Sequence, residues 1–339
     1  MFNENRCLYL DDKQNLVIET RKIPEPDTGQ VLVKIAANGI CGSDVHFFHT
    51  GKLGNFIVTE PYIPGHEASG TIVACGKGAK KFKEGTRVVI EPGIPCGFCK
   101  YCKTGRYNLC PDVVFLSAPP INGTFCDYLI INENFVFPIP DSLTFENAVL
   151  AEPLAVAIHA VNRAGIIPGD TGVVIGAGPI GLLTLQAFKA AGGSHTVCVD
   201  LIESRLDIAL KLGSDKVINP SKDKIPNDLG DVVFETAGSN KATQQLFHAA
   251  KCGGKVIQIG WPEKNQVKLD VAVLMEKELN YIGVNRYVNA FETAVSWLTD
   301  SRIKTDEIIT QCYPFEKAPE AFHRALNHPK KTIKVIVNN

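Results

Sequence analysis

The spacing of apolar positions changes character near residue 150. Before it, short β-rich runs (Val31–Ala36, Gly70–Val73 and Arg87–Ile90) stand between clusters of Gly, Pro and Asn. That pattern predicts an irregular, mostly β domain. From about Gly169 strand-like and helix-like segments alternate. Gly172–Gly176, Thr196–Asp200, Lys216–Ile218, Asp231–Thr236, Lys255–Gly260 and Tyr281–Asn285 are apolar nearly throughout, as in a parallel sheet buried on both faces. Helical patterns over Pro179–Ala191, Glu203–Leu212, Lys241–Lys251 and Val271–Glu278 lie between most of them. The alternation predicts an α/β domain with a doubly wound parallel six-stranded sheet. Asn219–Gly230, with two prolines, is too short for a full crossover helix between the third and fourth strands. After Asn285 the chain is expected to rejoin the first domain and end in a strand over Thr332–Val337. The expected domains are thus 1–150 with 287–339, and 151–286.

Composition narrows the function. The chain has 339 residues, 45% of them hydrophobic and 21% charged, enough for two domains with a substantial core. A formal net charge of -1 gives no bulk attraction for nucleic acid or an anionic membrane. The uncharged stretch Thr171–Phe188 is broken by Gly172, Gly176, Gly178, Pro179 and Gly181, so it reads as a strand entering a helix rather than a membrane span. Residues 1–10 show no basic segment followed by an apolar core, and a cytoplasmic location is expected. There are 11 cysteines, an odd number, which in a reducing compartment points to thiols and metal ligands rather than a disulfide framework.

Gly176-Ala177-Gly178-Pro179-Ile180-Gly181 joins a predicted strand to a predicted helix. The first glycine permits a tight turn, the second lets backbone approach a pyrophosphate, and the third lets helix pack on strand. The helix N-terminus offers free N–H groups to phosphate. Asp200 closes the next strand about 20 residues on, where an acid bonds the adenosine ribose hydroxyls. Its charge disfavours a 2′-phosphate, so NAD is expected over NADP, although Arg205 stands nearby in sequence as a potential phosphate partner.

Two sets of metal-binding residue types occur. Cys96, Cys99, Cys102 and Cys110 can wrap one tetrahedral zinc with no open position, which makes such a site structural. The second set is dispersed: Cys41, His66 with Glu67, and Glu152. Taken singly, these also fit a core thiol, a satisfied buried histidine and two solvated carboxylates.

Cys41-Gly42-Ser43-Asp44-Val45-His46, Gly65-His66-Glu67-Ala68-Ser69-Gly70, the four-cysteine segment and the glycine fingerprint occur in one order. That combination resembles the zinc-containing medium-chain alcohol dehydrogenases over essentially the whole chain. Gly54–Val58, Gly105–Pro111, Ala118-Pro119-Pro120, Glu152-Pro153-Leu154 and Arg286-Tyr287 are similar to the sorbitol and xylitol dehydrogenase branch. The resemblance implies a GroES-like catalytic domain beside a Rossmann domain, two Zn²⁺ per chain, NAD as cofactor, and a homotetramer or homodimer.

It further implies a catalytic zinc held by Cys41, His66 and Glu67, with Glu152 beside it and either carboxylate able to serve as ligand. Ser43 and His46 are the implied proton relay, with Asp44 orienting them or the ligands. Gly176, Gly178, Pro179, Ile180, Gly181, Asp200, Arg205, Ile259 and Asn285 are the implied cofactor contacts. Phe47, Phe115, Glu152, Arg286 and Tyr287 are the implied substrate contacts. In such enzymes zinc lowers the pKa of the substrate hydroxyl, so that a hydride can leave its carbon for the nicotinamide near neutral pH. Animal sorbitol dehydrogenases carry a tyrosine and a threonine where this chain has Phe47 and Ala118, which implies a less polar pocket. A zinc-dependent diol or simple secondary-alcohol dehydrogenase is therefore the alternative activity. A recruited structural nucleotide-binding protein is the non-enzyme alternative, and it would have no need for Cys41, His66, Glu67 and Asp200 together.

Overall fold

The computed structural model describes residues 4–262 and 266–339. Among these, no helix is long and apolar enough to cross a membrane. The chain divides into two compact units, residues 1–152 with 309–339, and residues 153–308.

The first unit is built on a seven-stranded sheet. Its order runs Val136–Pro138, Arg87–Ile90, Glu67–Cys75, Gln30–Gly39, Lys334–Asn338 and Ile309–Pro314, with Tyr128–Asn132 also paired to Gln30–Gly39. Val31, Val33 and Ile35, two apart as side chains of one strand face are, enter a core shared with Ile72, Phe125, Phe322 and Val335. Two consequences of register matter for the site. Glu67, the first residue of its strand, lies opposite Gly39, close to Cys41 in sequence. The C-terminal strand pairs Ile336 with Gly39 on the other side, which brings Lys334 to the same end of the sheet.

The second unit is the predicted doubly wound sheet. All six strands are parallel, in the order Lys216–Ile218, His195–Val199, Thr171–Ile175, Gly230–Glu235, Ala250–Gln258 and Asn280–Gly283. The order reverses beside Thr171–Ile175, so the crevice past its carboxyl end is where a dinucleotide binds in such sheets. Helices Pro179–Ala190, Glu203–Lys211, Asn240–Ala249 and Val271–Glu276 match the predicted set. No helix occurs between Ile218 and Gly230, in line with the short proline-bearing link. Val173, Ile175, Val199, Val233 and Val256 form the core of the sheet with Leu246 and Phe247 of one helix.

The return to the first unit comes at Ile309, not at 287. Residues 287–308 stay with the sheet because their polar groups are tied to it. The Gln186 side chain donates to the Lys304 carbonyl at 3.2 Å and accepts its N–H at 2.7 Å. Lys211 pairs with Glu307 at 3.0 Å.

Candidate active site

Cys41 caps the N-terminus of helix Gly42–Thr50, and its backbone N–H is accepted by Asp44 Oδ2 at 3.0 Å. Asp44 is fully buried. Its other oxygen, Oδ1, accepts the Ser117 hydroxyl at 2.9 Å and the Gly65 N–H at 3.2 Å. Ser117 Oγ in turn accepts the Gly65 N–H at 2.9 Å. One carboxylate thereby fixes the start of the Cys41 helix and the backbone leading into His66. His66 Nδ1 stands 3.7 Å from Asp44 Oδ1, within charge-pair reach but beyond a hydrogen bond.

Around this frame one ligand atom each from Cys41, His66 and Glu67 lies within 4.8 Å of the others, with His66 and Glu67 buried. His66 Nδ1 is a buried nitrogen with no hydrogen-bond partner. Burial alone would lower the basicity of His66, but Asp44, Cys41 and Glu152 hold its imidazole well above the usual histidine value. Burial opposes charge on Lys334 as well, and there Glu67, Cys41 and Glu152 win and hold the ammonium above its usual range. A field this negative suits a divalent cation. A thiol, an imidazole and a carboxylate are a donor set that zinc accepts, and three donors leave a tetrahedral ion one open position.

The other cysteine set is closed. Cys96, Cys99, Cys102 and Cys110 bring their sulfurs within 4.8 Å of one another. Cys99 and Cys102 are 3.4 Å apart, and Cys96 and Cys102 3.9 Å. A tetrahedron with zinc–sulfur bonds of ~2.3 Å has edges of about 3.8 Å, so the four thiols fit one such ion.

In the second unit the fingerprint turn has the geometry its glycines imply. Gly176 adopts φ +107°, and a side chain there would meet Thr236 and the backbone of Ala237. A side chain on Gly181 would collide with the Gly176 carbonyl. Above Gly178 only Arg205 Nη1 approaches, 3.9 Å from the place a Cβ would take, which leaves that backbone open to a phosphate. Helix Pro179–Ala190 starts there with proline in its first turn. Asp200 accepts the Ala177 N–H at 2.7 Å and the Ile202 N–H at 2.8 Å, so its carboxylate lies beside the turn.

Residues 27–141 match the alcohol dehydrogenase GroES-like domain family, and residues 179–300 match the zinc-binding dehydrogenase family. The sorbitol dehydrogenase of Bacillus subtilis (strain 168) is 40% identical over 340 residues, covering 98% of this chain and 96% of that one. The chain belongs to the zinc-containing medium-chain alcohol dehydrogenases, in their polyol branch. It is an oxidoreductase. L-idonate 5-dehydrogenase of Escherichia coli superposes with a TM-score of 0.93 at 31% identity, covering 99% of this chain and 98% of that one. The 2R,3R-butanediol dehydrogenase of Bacillus subtilis superposes at 0.90 and 29%, covering 99% of each.

Ser43 is half-buried and His46 exposed on the Cys41 helix. Glu152 is 6% exposed and its charge reaches both His66 and Lys334. The Phe115 ring lies 5.6 Å from that of His66. Phe47 is buried, edge-on to Tyr62 at 6.3 Å. The second unit carries Ile259, whose N–H is accepted by the Glu235 carbonyl at 2.9 Å, and Asn285 just beyond the last strand of the sheet. It also carries Arg286, at φ +54°, and Tyr287, buried 5.4 Å from Phe291.

Three residues were not expected from the sequence. Ser117 gave no signal, being one serine in a loop. Lys334 did: it is the one charge in the apolar run Thr332–Val337, and a lysine buried in a strand needs a partner. Glu235 is likewise an acid at the end of an apolar strand. Its carboxylate accepts the N–H groups of Ala237 and Gly238 and the Gln258 amide, bracing the loop that packs on Gly176.

Proposed function

We propose that the protein oxidises a secondary hydroxyl of a sugar alcohol, of the sorbitol or xylitol type, to the ketose, with NAD as hydride acceptor. The convergence of Cys41, His66 and Glu67, three donors where a tetrahedral ion takes four, carries this reading. Those residues hold one zinc ion, and Cys96, Cys99, Cys102 and Cys110 hold a second. A bound zinc would lower the pKa of a hydroxyl it polarises, and a bound nicotinamide would supply the hydride acceptor.

The chain's own residues do the rest. Asp44 and Ser117 hold the backbone at Cys41 and just before His66, which orients those two donors. The substrate proton leaves through the Ser43 hydroxyl to the imidazole of His46, one turn further along the same helix face and open to solvent. Glu152 accepts a hydroxyl or a water beside the donors. Phe115 covers His66 and keeps water from the reacting carbon. Gly176, Gly178, Pro179, Ile180 and Gly181 take the pyrophosphate, and Asp200 the ribose hydroxyls. Ile259 and Asn285 contact the cofactor, while Arg286 and Tyr287 face the polyol or the nicotinamide end. A homodimer or homotetramer in the cytoplasm completes the reading.

A diol or simple secondary alcohol is the second reading, favoured by Phe47 and Ala118, two apolar side chains at proposed pocket positions. The test is a panel of sorbitol, xylitol, ribitol, erythritol, butanediol and isopropanol with NAD or NADP, each with and without a strong chelator. Chelator-sensitive NAD reduction by polyols is the expected result. Activity confined to butanediol or isopropanol selects the second reading. No reduction in a protein that holds both metals rejects the two together.

A further inference from the structure

Lys334 is 2% exposed and spends all three of its N–H donors. Two go to Glu67, at 2.8 Å to Oε1 and 2.7 Å to Oε2, and one to the Ile40 carbonyl at 3.1 Å. Its strand gives no other reason for a cation, since Val335, Ile336 and Val337 beside it are buried and apolar. A lone ammonium in such a place is costly. Gly39 completes the arrangement, because a side chain there would collide with Glu67 Oε2. Three strands thus converge to hold one carboxylate against one ammonium, at the edge of the Cys41–His66–Glu67 cluster.

Cys41, Asp44, Glu67 and Glu152 place four acidic groups in and around the cluster, and Lys334 sets a buried ammonium against one of them. Both Glu67 oxygens already face an ammonium, so each has less electron density to give to a metal than an unpaired carboxylate would.

We propose that Lys334 is a positioning residue that holds Glu67 as a weakened, releasable metal donor rather than a fixed one. The proposal rests on the reading of Cys41, His66 and Glu67 as the donor set. With a neutral side chain at 334, Glu67 becomes a full-strength anionic donor, and the site holds its metal longer while yielding less readily to substrate.

The test exchanges cobalt into the site and follows its loss to a chelator through the visible absorption of the ion. Wild type, Lys334→Met, Lys334→Arg, Glu67→Gln and the Glu67→Gln/Lys334→Met pair are compared. Release from Lys334→Met is expected to be about tenfold slower, the scale on which partners of metal ligands act, with a shifted absorption band and a lower kcat. Lys334→Arg keeps the cation and is expected to release at the wild-type rate. In the Glu67→Gln background the Lys334→Met change is expected to alter the rate less than twofold, which a merely structural role would not reproduce. Lys334→Gln carries the same expectation if Lys334→Met does not fold. Unchanged or faster release without the lysine, or an equal effect in the Glu67→Gln background, would overturn the proposal. A wild-type chain that takes metal only in the four-cysteine segment would overturn the donor-set reading and this proposal with it.

Discussion

The Ser117 hydroxyl donates to Asp44 Oδ1 at 2.9 Å, and the two side chains together grip the backbone that carries His66. Ser117→Ala removes a donor from a fully buried carboxylate and one acceptor from the Gly65 N–H. A stability loss of about 1–3 kcal/mol is expected, along with a metal affinity lower by roughly tenfold to a hundredfold. Thermal unfolding and metal titration of the variant check the two effects separately. Normal metal affinity in a destabilised protein would confine Ser117 to a packing role.

Cys102→Ser breaks the sulfur tetrahedron, since Cys102 lies near both Cys96 and Cys99. Loss of one metal ion per chain and a lower Tm are expected, with the Cys41 site still able to bind its own ion. Elemental analysis beside alcohol oxidation at low temperature decides the matter. Loss of both ions at once would mean that the two sites do not act independently.

Asp200→Asn removes a charge beside the Ala177 N–H while keeping one acceptor. The expected outcome is a fall of about tenfold or more in kcat/KM with NAD, or ~1.4 kcal/mol in transition-state binding. Activity with NADP should rise relative to NAD, because Arg205 remains close to Gly178. An unchanged NAD to NADP ratio would remove Asp200 from cofactor selection.

Two buried carboxylates make stability depend on pH. Burial pushes Glu235 up to about 7, against the pull of the Ala237 and Gly238 N–H groups. Burial does the same for Glu91, also to about 7, although the Tyr107 hydroxyl opposes it. A carboxyl whose pKa is higher folded than unfolded binds more protons in the folded state. Its stabilising contribution is therefore present below the unfolded value and lost as pH rises through about 7. Wild type is expected to lose stability between pH ~4.5 and ~7 relative to Glu91→Gln/Glu235→Gln, by up to a few kcal/mol. Parallel unfolding curves for the two proteins across that range would contradict the assignment.

The parts of this molecule that were legible in the sequence are those whose chemistry is local. Cys96 to Cys110 and Gly176 to Gly181 each close on themselves within a few residues, so spacing alone reports them. The central strands of the second unit, Thr171–Ile175, His195–Val199 and Gly230–Glu235, were legible because nearly every side chain in them is buried. Cys41, His66 and Glu67 are brought together by the pairing of Gly39 with Glu67 and by the Asp44 carboxylate that ties the Cys41 and Gly65 N–H groups, and periodicity carries no record of either contact. Their grouping was available from family resemblance alone. Lys334 lay beyond even that, since its partner is set by a second pairing, of Ile336 with Gly39. The boundary expected at 287 missed for the same reason: Gln186 and Lys304 meet through the fold, and neither carries a pattern that announces the other.

The first unit is made of two separated stretches of chain and the second of one unbroken stretch. This fixes an order in which the parts become available during synthesis. By the time Ile308 has left the ribosome, every strand and helix of the doubly wound sheet exists, and neighbours along the chain are mostly neighbours in space, so this unit can fold before the rest of the chain is made. The other sheet at that moment still lacks Ile309–Pro314 and Lys334–Asn338. Until those strands arrive, the Glu67 carboxylate waits without its ammonium on a sheet left open beside Gln30–Gly39. A nascent chain stalled before residue 334 is a complete doubly wound domain joined to a Cys41–His66–Glu67 cluster that lacks its buried ammonium.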